Sequence, residues 1–215
     1  MSLNIHSETL FKTAYGDRDW AFYKQLLGSC VTHGKPGTWL DLGAGLGLLT
    51  ECAFRFGIDC IGLEGSEYAV HEARNRVPGL DVRLHDLGKP FPLGENSIAT
   101  VVLNQTIEHL DKPAAQFVLR ESYRVLEPGG VLLIYSPCWY NRQERKEITH
   151  INLYSPKTLA AEVKQACFKI VAEPNSPNFL LGKSSVGRAV VGLLFRLFPA
   201  DFLSASSNCI AQKAL

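Results

Sequence analysis

Short apolar runs recur along this chain, at Thr38–Leu42, Cys60–Leu63, Val82–Leu84, Ile98–Leu103, Val131–Tyr135, Phe168–Ala172 and Asn208–Ala211. Runs of this length, bounded by turn and capping residues, read as buried strands. The stretches between them carry apolar positions at helical spacing. Helices are expected over about Glu8 to Val31, Leu48 to Phe56, Ser66 to Arg76, Asp111 to Glu127, and Ser155 to about Ala166. Local punctuation agrees with this. Gly34, Pro36 and Gly37 break the chain after the first helix, and Ser66 is placed to cap the third, which stops before Pro78-Gly79. Asp111 can cap a helix with Pro113 in its first turn, and that helix is expected to end in Glu127-Pro128-Gly129-Gly130. Strands alternating with helices imply an α/β fold, a parallel sheet with helices on both faces.

One region departs from this rhythm. Between 175 and 207 the expected element is a helix from roughly Val186 to Phe198, with Val186, Val190, Leu193, Leu194 and Leu197 on one face. Placed before the last strand, it reads as a lid-like insertion or as an ordinary packing helix. The 215 residues are expected to form a single domain, with 1–35 as an N-terminal helical cap.

Composition narrows the function classes. Lys and Arg number 22 against 21 Asp and Glu, so no bulk field favours nucleic acid or an anionic membrane, although a local basic patch is compatible. The longest apolar region, Phe179 to Phe198, is interrupted by Lys183, Arg188 and Arg196, which argues against a membrane span. The six cysteines are scattered with no Cys-x-x-Cys pair. They suit reduced, buried thiols better than disulfides or zinc. No signal-peptide pattern opens the chain, so a cytoplasmic location is expected.

The candidate chemistry lies at Trp39-Leu40-Asp41-Leu42-Gly43-Ala44-Gly45-Leu46-Gly47-Leu48. A strand, a glycine turn and a helix start in that order offer backbone N–H groups to an anionic end of a ligand. Leu48 stands where a dinucleotide fingerprint would need its third glycine, which disfavours NAD. Asp41 before the turn suits a cofactor with a cationic part. Glu64, in Gly62-Leu63-Glu64-Gly65-Ser66, lies at a strand's carboxyl end, where a carboxylate accepts from ribose hydroxyls. Asp86 ends the third strand at the same sheet edge and can accept from an exocyclic amine.

This ordered series resembles the class I S-adenosylmethionine-dependent methyltransferases over roughly Thr38 to Val171. Leu40 to Gly47 is similar to their first motif, and Gly62 to Ser66 to their acidic ribose loop. His85 to Pro92 is similar to their adenine turn, Glu95 to Pro113 to the strand-four segment, and Ser122 to Pro137 to the helix–turn–strand that follows. The small-molecule branch, ubiquinone-biosynthesis-like, offers a counterpart to Thr149 to Leu159.

The resemblance implies a Rossmann-like, seven-stranded, mostly parallel sheet whose last strand is antiparallel. It implies S-adenosylmethionine as cofactor, with S-adenosylhomocysteine as product. Asp41, Gly43, Ala44, Gly45 and Gly47 would shape the methionine turn, Glu64 and Gly65 the ribose loop, and Asp86 and Leu87 the adenine contact. Asn104 would lie near the methionyl end. One branch binds a divalent metal through Glu-x-x-Glu-His. Gln105 replaces the first carboxylate here, so no metal is expected.

Methyl transfer needs the nucleophile within about 3 Å of the methyl and water excluded, and a hydroxyl nucleophile benefits from a base near neutral pKa. His150 and His109 are the candidates, because both follow strands that end at the cofactor edge. His6, His33, His71 and His85 are placed less well. The acceptor expected is a small molecule, and the apolar helix favours a lipophilic one or an oligomer contact. The basic, aromatic stretch Cys138 to Glu147 admits RNA, which its two glutamates disfavour. RNA or protein methylation and a non-catalytic binding module are the alternatives.

Overall fold

The computed structural model describes residues 20–175, 185–197 and 204–215. In chain order these form α1 (Trp20–His33), β1 (Trp39–Leu42), α2 (Leu48–Arg55), β2 (Cys60–Glu64), α3 (Glu67–Arg76), β3 (Val82–Leu84), β4 (Ile98–Asn104), α4 (Lys112–Val125) and β5 (Leu126–Pro137). They continue with α5 (Pro156–Gln165), β6 (Lys169–Ala172), α6 (Ser185–Leu197) and β7 (Ser206–Gln212). The first expected helix is described only from Trp20; His6, Tyr15 and the rest of 1–19 lie outside the described residues.

The strands form one seven-stranded sheet in the order β3-β2-β1-β4-β5-β7-β6. β1 runs parallel to both β2 and β4, β2 to β3, and β4 to β5. β7 is antiparallel to β5 and to β6. The expected Rossmann-like sheet and its antiparallel last strand are therefore observed.

Side-chain alternation decides which helices cover which face. Leu40 and Leu42 of β1, Val101 and Leu103 of β4, and Leu132 and Ile134 of β5 join Val118 and Leu119 of α4 and Leu159 and Val163 of α5 in one core. The intervening Trp39, Val102 and Leu133 join Leu26 and Leu27 of α1 and Leu49 and Ala53 of α2 in the other. Neighbouring residues of a strand point to opposite faces, so two cores from one sheet follow from period two.

The helix ends mostly fall where their caps predict. Ser66 accepts from the Ala69 N–H, Asp111 from the Ala114 N–H, and Ser155 forms a capping box with Thr158. One boundary differs. The helix expected to continue to Glu127 stops at Val125, and the turn Glu127 to Gly130 lies inside β5. Leu126 pairs with Ile98, which pulls it out of helical geometry. The last helical carbonyls, of Arg124 and Val125, accept instead from the N–H groups of Asn96 and Ser97. Gly129 takes φ 72°, and its carbonyl accepts from the Gln212 side chain at 3.0 Å.

Candidate cofactor site

The order of strands reverses between β1 and β4, and the crevice beyond their carboxyl ends is where open α/β sheets bind ligands. The glycine turn leaves β1 there. Gly43, Gly45 and Gly47 take φ 69°, 55° and 68°, left-handed conformations that cost glycine little. The Gly43 and Ala44 N–H groups both donate to the Leu63 carbonyl, which ties the turn to the end of β2. A Cβ on Gly43 would stand 2.5 Å from Thr106 Cγ2. Thr106 is itself fixed by donating to the Leu42 carbonyl at 2.9 Å. No side chain caps α2, so its first-turn N–H groups lie at the base of the turn without a capping side chain.

Glu64 is buried, 5% exposed. Its Oε2 accepts from the Gly45 N–H and its Oε1 from the Ser66 N–H, both at 2.8 Å. One carboxylate thus joins the glycine turn to the acidic loop through Gly65. Asp41, 3% exposed, accepts from Thr50 Oγ1 at 2.8 Å. Burial pushes its carboxyl up to about 7; the Thr50 bond opposes this and the Glu64 charge adds to it.

Asp41, Gly43, Ala44, Gly45 and Asn104 line one pocket, so five of the expected residues come together there. Tyr23, Leu46, Leu48, Leu49 and Gln105 complete the lining and are not among the cofactor residues expected from the sequence. Gln105 takes φ 51°, unusual for a residue with a side chain, and its N–H donates to the Tyr135 carbonyl. The immediate context of Asn104 was the one available signal for it. A further support was not anticipated: Arg76 donates to the Leu46 carbonyl at 2.6 Å and to the buried Glu51 at 2.7 Å, clamping the turn from α3.

Gly47 lies at the base of the turn, where a Cβ would come within 3.0 Å of Ala73 and Val82. Asp86 and Leu87 follow β3 and do not line this pocket. The Asp86 carboxyl is held below its usual range, first by the Gly88 N–H and then by nearby Lys89. Leu87 packs against the larger core. The His85 N–H donates to the Glu64 carbonyl, so this loop begins beside the ribose-type carboxylate.

The two histidine candidates meet. Their ring centroids are 4.9 Å apart, in an edge arrangement. His109 Nδ1 lies 2.9 Å from the Thr149 carbonyl and His150 Nδ1 3.2 Å from that of Glu144. A carbonyl accepts only, so in the neutral rings Nδ1 carries the proton and Nε2 the lone pair. Buried Glu108 accepts from Ser136 Oγ at 3.1 Å.

Glu108, His109 and His150 each bring one ligand atom within 4.8 Å of the others. A carboxylate with two imidazoles anchored at Nδ1 is also a donor set that fits a divalent transition ion. Along the sequence only Gln105, Glu108 and His109 fall within one metal-binding motif. His150 lies 41 residues beyond His109, too far along the chain to be associated with it by motif.

Residues 40–134 match the family described as a methyltransferase domain. A probable S-adenosylmethionine-dependent methyltransferase of Mycolicibacterium smegmatis is 37% identical over 115 residues, 54% of this chain and 42% of that protein. The chain thus spans less than half the length of this relative. Solved structures of other proteins share the fold. A SAM-dependent methyltransferase from Archaeoglobus fulgidus has TM-score 0.70 at 20% identity, covering 95% of this chain and 99% of that one. Phosphoethanolamine N-methyltransferase 2 of Haemonchus contortus, in complex with S-adenosyl-L-methionine, has TM-score 0.70 at 17% identity, covering 99% and 59%. The glycine turn, the acidic loop and strands β2 to β4 fall within the matched residues, whereas β6 and β7 lie beyond them. Residues 40–134 of this chain thus match a methyltransferase domain, and the fold is shared with S-adenosylmethionine-dependent methyltransferases.

Proposed function

We propose that this chain transfers a methyl group from S-adenosylmethionine to a small-molecule acceptor and releases S-adenosylhomocysteine. The observation that carries the reading is the buried Glu64 carboxylate, bonded to the Gly45 and Ser66 N–H groups beside a pocket lined by Asp41. The cofactor supplies an activated sulfonium methyl. Glu64 accepts from the ribose hydroxyls, with Gly65 beside it in the acidic loop. Asp41 and Asn104 meet the methionyl end, and Gly43, Ala44, Gly45 and Gly47 bring the turn's backbone close to it. Asp86 and the backbone of Leu87 receive the adenine edge.

For a hydroxyl acceptor, Nε2 of His150 or His109 takes the proton, and the other ring braces it by edge contact. An amine or activated carbon acceptor needs positioning and little more. The reading assigns no step to a metal. A cytoplasmic location accords with six cysteines that form no disulfide, five of them buried. Among the described residues, no helix is long and apolar enough to cross a membrane.

Titration calorimetry with S-adenosylmethionine, S-adenosylhomocysteine and NAD tests the pocket, with Glu64→Ala as control. Micromolar binding of the sulfur ligands, lost in the variant, is expected, and NAD binding alone would overturn the reading. Product formation with small acceptors, against RNA and protein extract, then separates the acceptor classes. Binding without any methylated acceptor would mark a non-catalytic module.

A further inference from the structure

The helix α6 presents its apolar face outward. Val190, Leu193, Leu194 and Leu197 are 49%, 57%, 41% and 61% exposed, whereas Val191, off that stripe, is buried at 8%. Among the described elements, none packs broadly against α6. Four aliphatic side chains at helical spacing on the water side form an apolar stripe that a globular fold would ordinarily turn inward.

A second apolar group follows the carboxyl end of β5. Trp139, Tyr140, Ile148 and Ile151, in the segment after β5, are exposed at 48%, 39%, 67% and 63%. The two segments share an anchor. The Cys138 N–H donates to the Ala205 carbonyl, the Trp139 N–H and Ser207 Oγ both donate to the Tyr154 carbonyl, and Asn208 donates to Asn175. Both ends of the insertion that carries α6 are therefore tied beside the base of the Trp139 segment. This is also the carboxyl end of β5, the side of the sheet on which the glycine turn opens.

Charge selects the occupant. Residues 185–197 contain Arg188 and Arg196 and no acid, and residues 138–151 contain Arg142, Arg145 and Lys146 against Glu144 and Glu147. Arg145 lies over the Trp139 ring at 5.3 Å, a pairing of cation and aromatic suited to a headgroup layer. A short helix with an aliphatic face, cationic residues and no acid has the composition of one that lies in a membrane interface. A second copy of this chain would bring the same cationic segments together, which an isologous contact does not favour.

We infer that the outward face of α6 and the Trp139–Ile151 segment together dock on an anionic lipid surface. The docking stands without the catalytic reading. Joined to it, and resting on it, the surface places the pocket mouth at the bilayer, so the acceptor class is lipophilic molecules resident there.

The test is flotation of the full chain with phosphatidylcholine vesicles, with and without phosphatidylglycerol, beside Leu193→Glu/Leu197→Glu and Arg142→Glu/Arg145→Glu variants. Calorimetric binding of S-adenosylhomocysteine by each variant reports on folding and on the pocket separately. The expected result is flotation at least tenfold greater with the anionic lipid, lost in the leucine variant and reduced in the arginine variant, with S-adenosylhomocysteine binding intact in both. Three results would overturn the proposal. They are no flotation by a chain that still binds S-adenosylhomocysteine, equal flotation by the leucine variant, and a dimer in sedimentation that the leucine variant dissolves. Flotation without any S-adenosylhomocysteine binding would sink the cofactor reading and leave the docking standing.

Discussion

Asp41 sits in the middle of a strand, between Leu40 and Leu42, and its carboxyl is pushed to about 7 chiefly by burial. From the ordinary 3.8 this is a rise of about 3 units, on the order of 4 kcal/mol against the ionised form in the unliganded protein. The folded value lies above the unfolded one. The proton therefore stabilises the fold fully below about pH 4, and that contribution is lost as pH rises through about 7. A cationic ammonium or sulfonium close to Asp41 reverses the preference, so ligand binding should expel the proton. At pH 6 the free carboxyl is about nine-tenths protonated, and binding should release close to one proton. Affinity should rise about fifty-fold from pH 5 to pH 7 and then level off. Calorimetry of S-adenosylmethionine binding in buffers of different ionisation enthalpy measures both quantities. Asp41→Asn keeps an acceptor for Thr50 but has nothing to titrate, so its proton release should vanish and its affinity lose that pH dependence. A flat affinity profile in the native chain, or unchanged proton release in the variant, would refute the placement of the cation beside Asp41.

Further outcomes follow from particular contacts. Glu64→Gln leaves one amide oxygen for the two N–H donors now served at 2.8 Å; S-adenosylhomocysteine should bind at least about tenfold more weakly by calorimetry. Gly43→Ala meets Thr106 at 2.5 Å with φ at 69° and should lose about 2 kcal/mol or more in denaturant unfolding. Gly28→Ala, in α1 with nothing within 4 Å of the added methyl, should gain up to about 1 kcal/mol. With a hydroxyl acceptor, removing the basic histidine should lower kcat by about a hundredfold or more, with little change in S-adenosylhomocysteine affinity. The same assay after chelation should be unchanged; a loss restored by a transition ion would assign the Glu108, His109 and His150 cluster to a metal instead.

Much of this protein follows from chemistry that acts within a few residues. The strand positions, the Ser66, Asp111 and Ser155 caps and the glycine turn are set by side-chain periodicity, local hydrogen bonding and allowed φ. They were legible because each depends on near neighbours along the chain. The left-handed Gln105, the helix cut short at Val125 and the hold of Arg76 on the Leu46 carbonyl were not legible, since each answers to a partner brought from another element. The meeting of His109 with His150 is of the same kind. Both were candidates singly, but only the course of the chain after β5 laid one ring against the other. The leucine face of α6 marks the boundary between the two kinds of information. Its periodicity determined a helix with an apolar side, while the packing of the rest of the fold decided that this side faces outward. Periodicity orders side chains about one helix axis, whereas orientation depends on which surfaces remain to cover it.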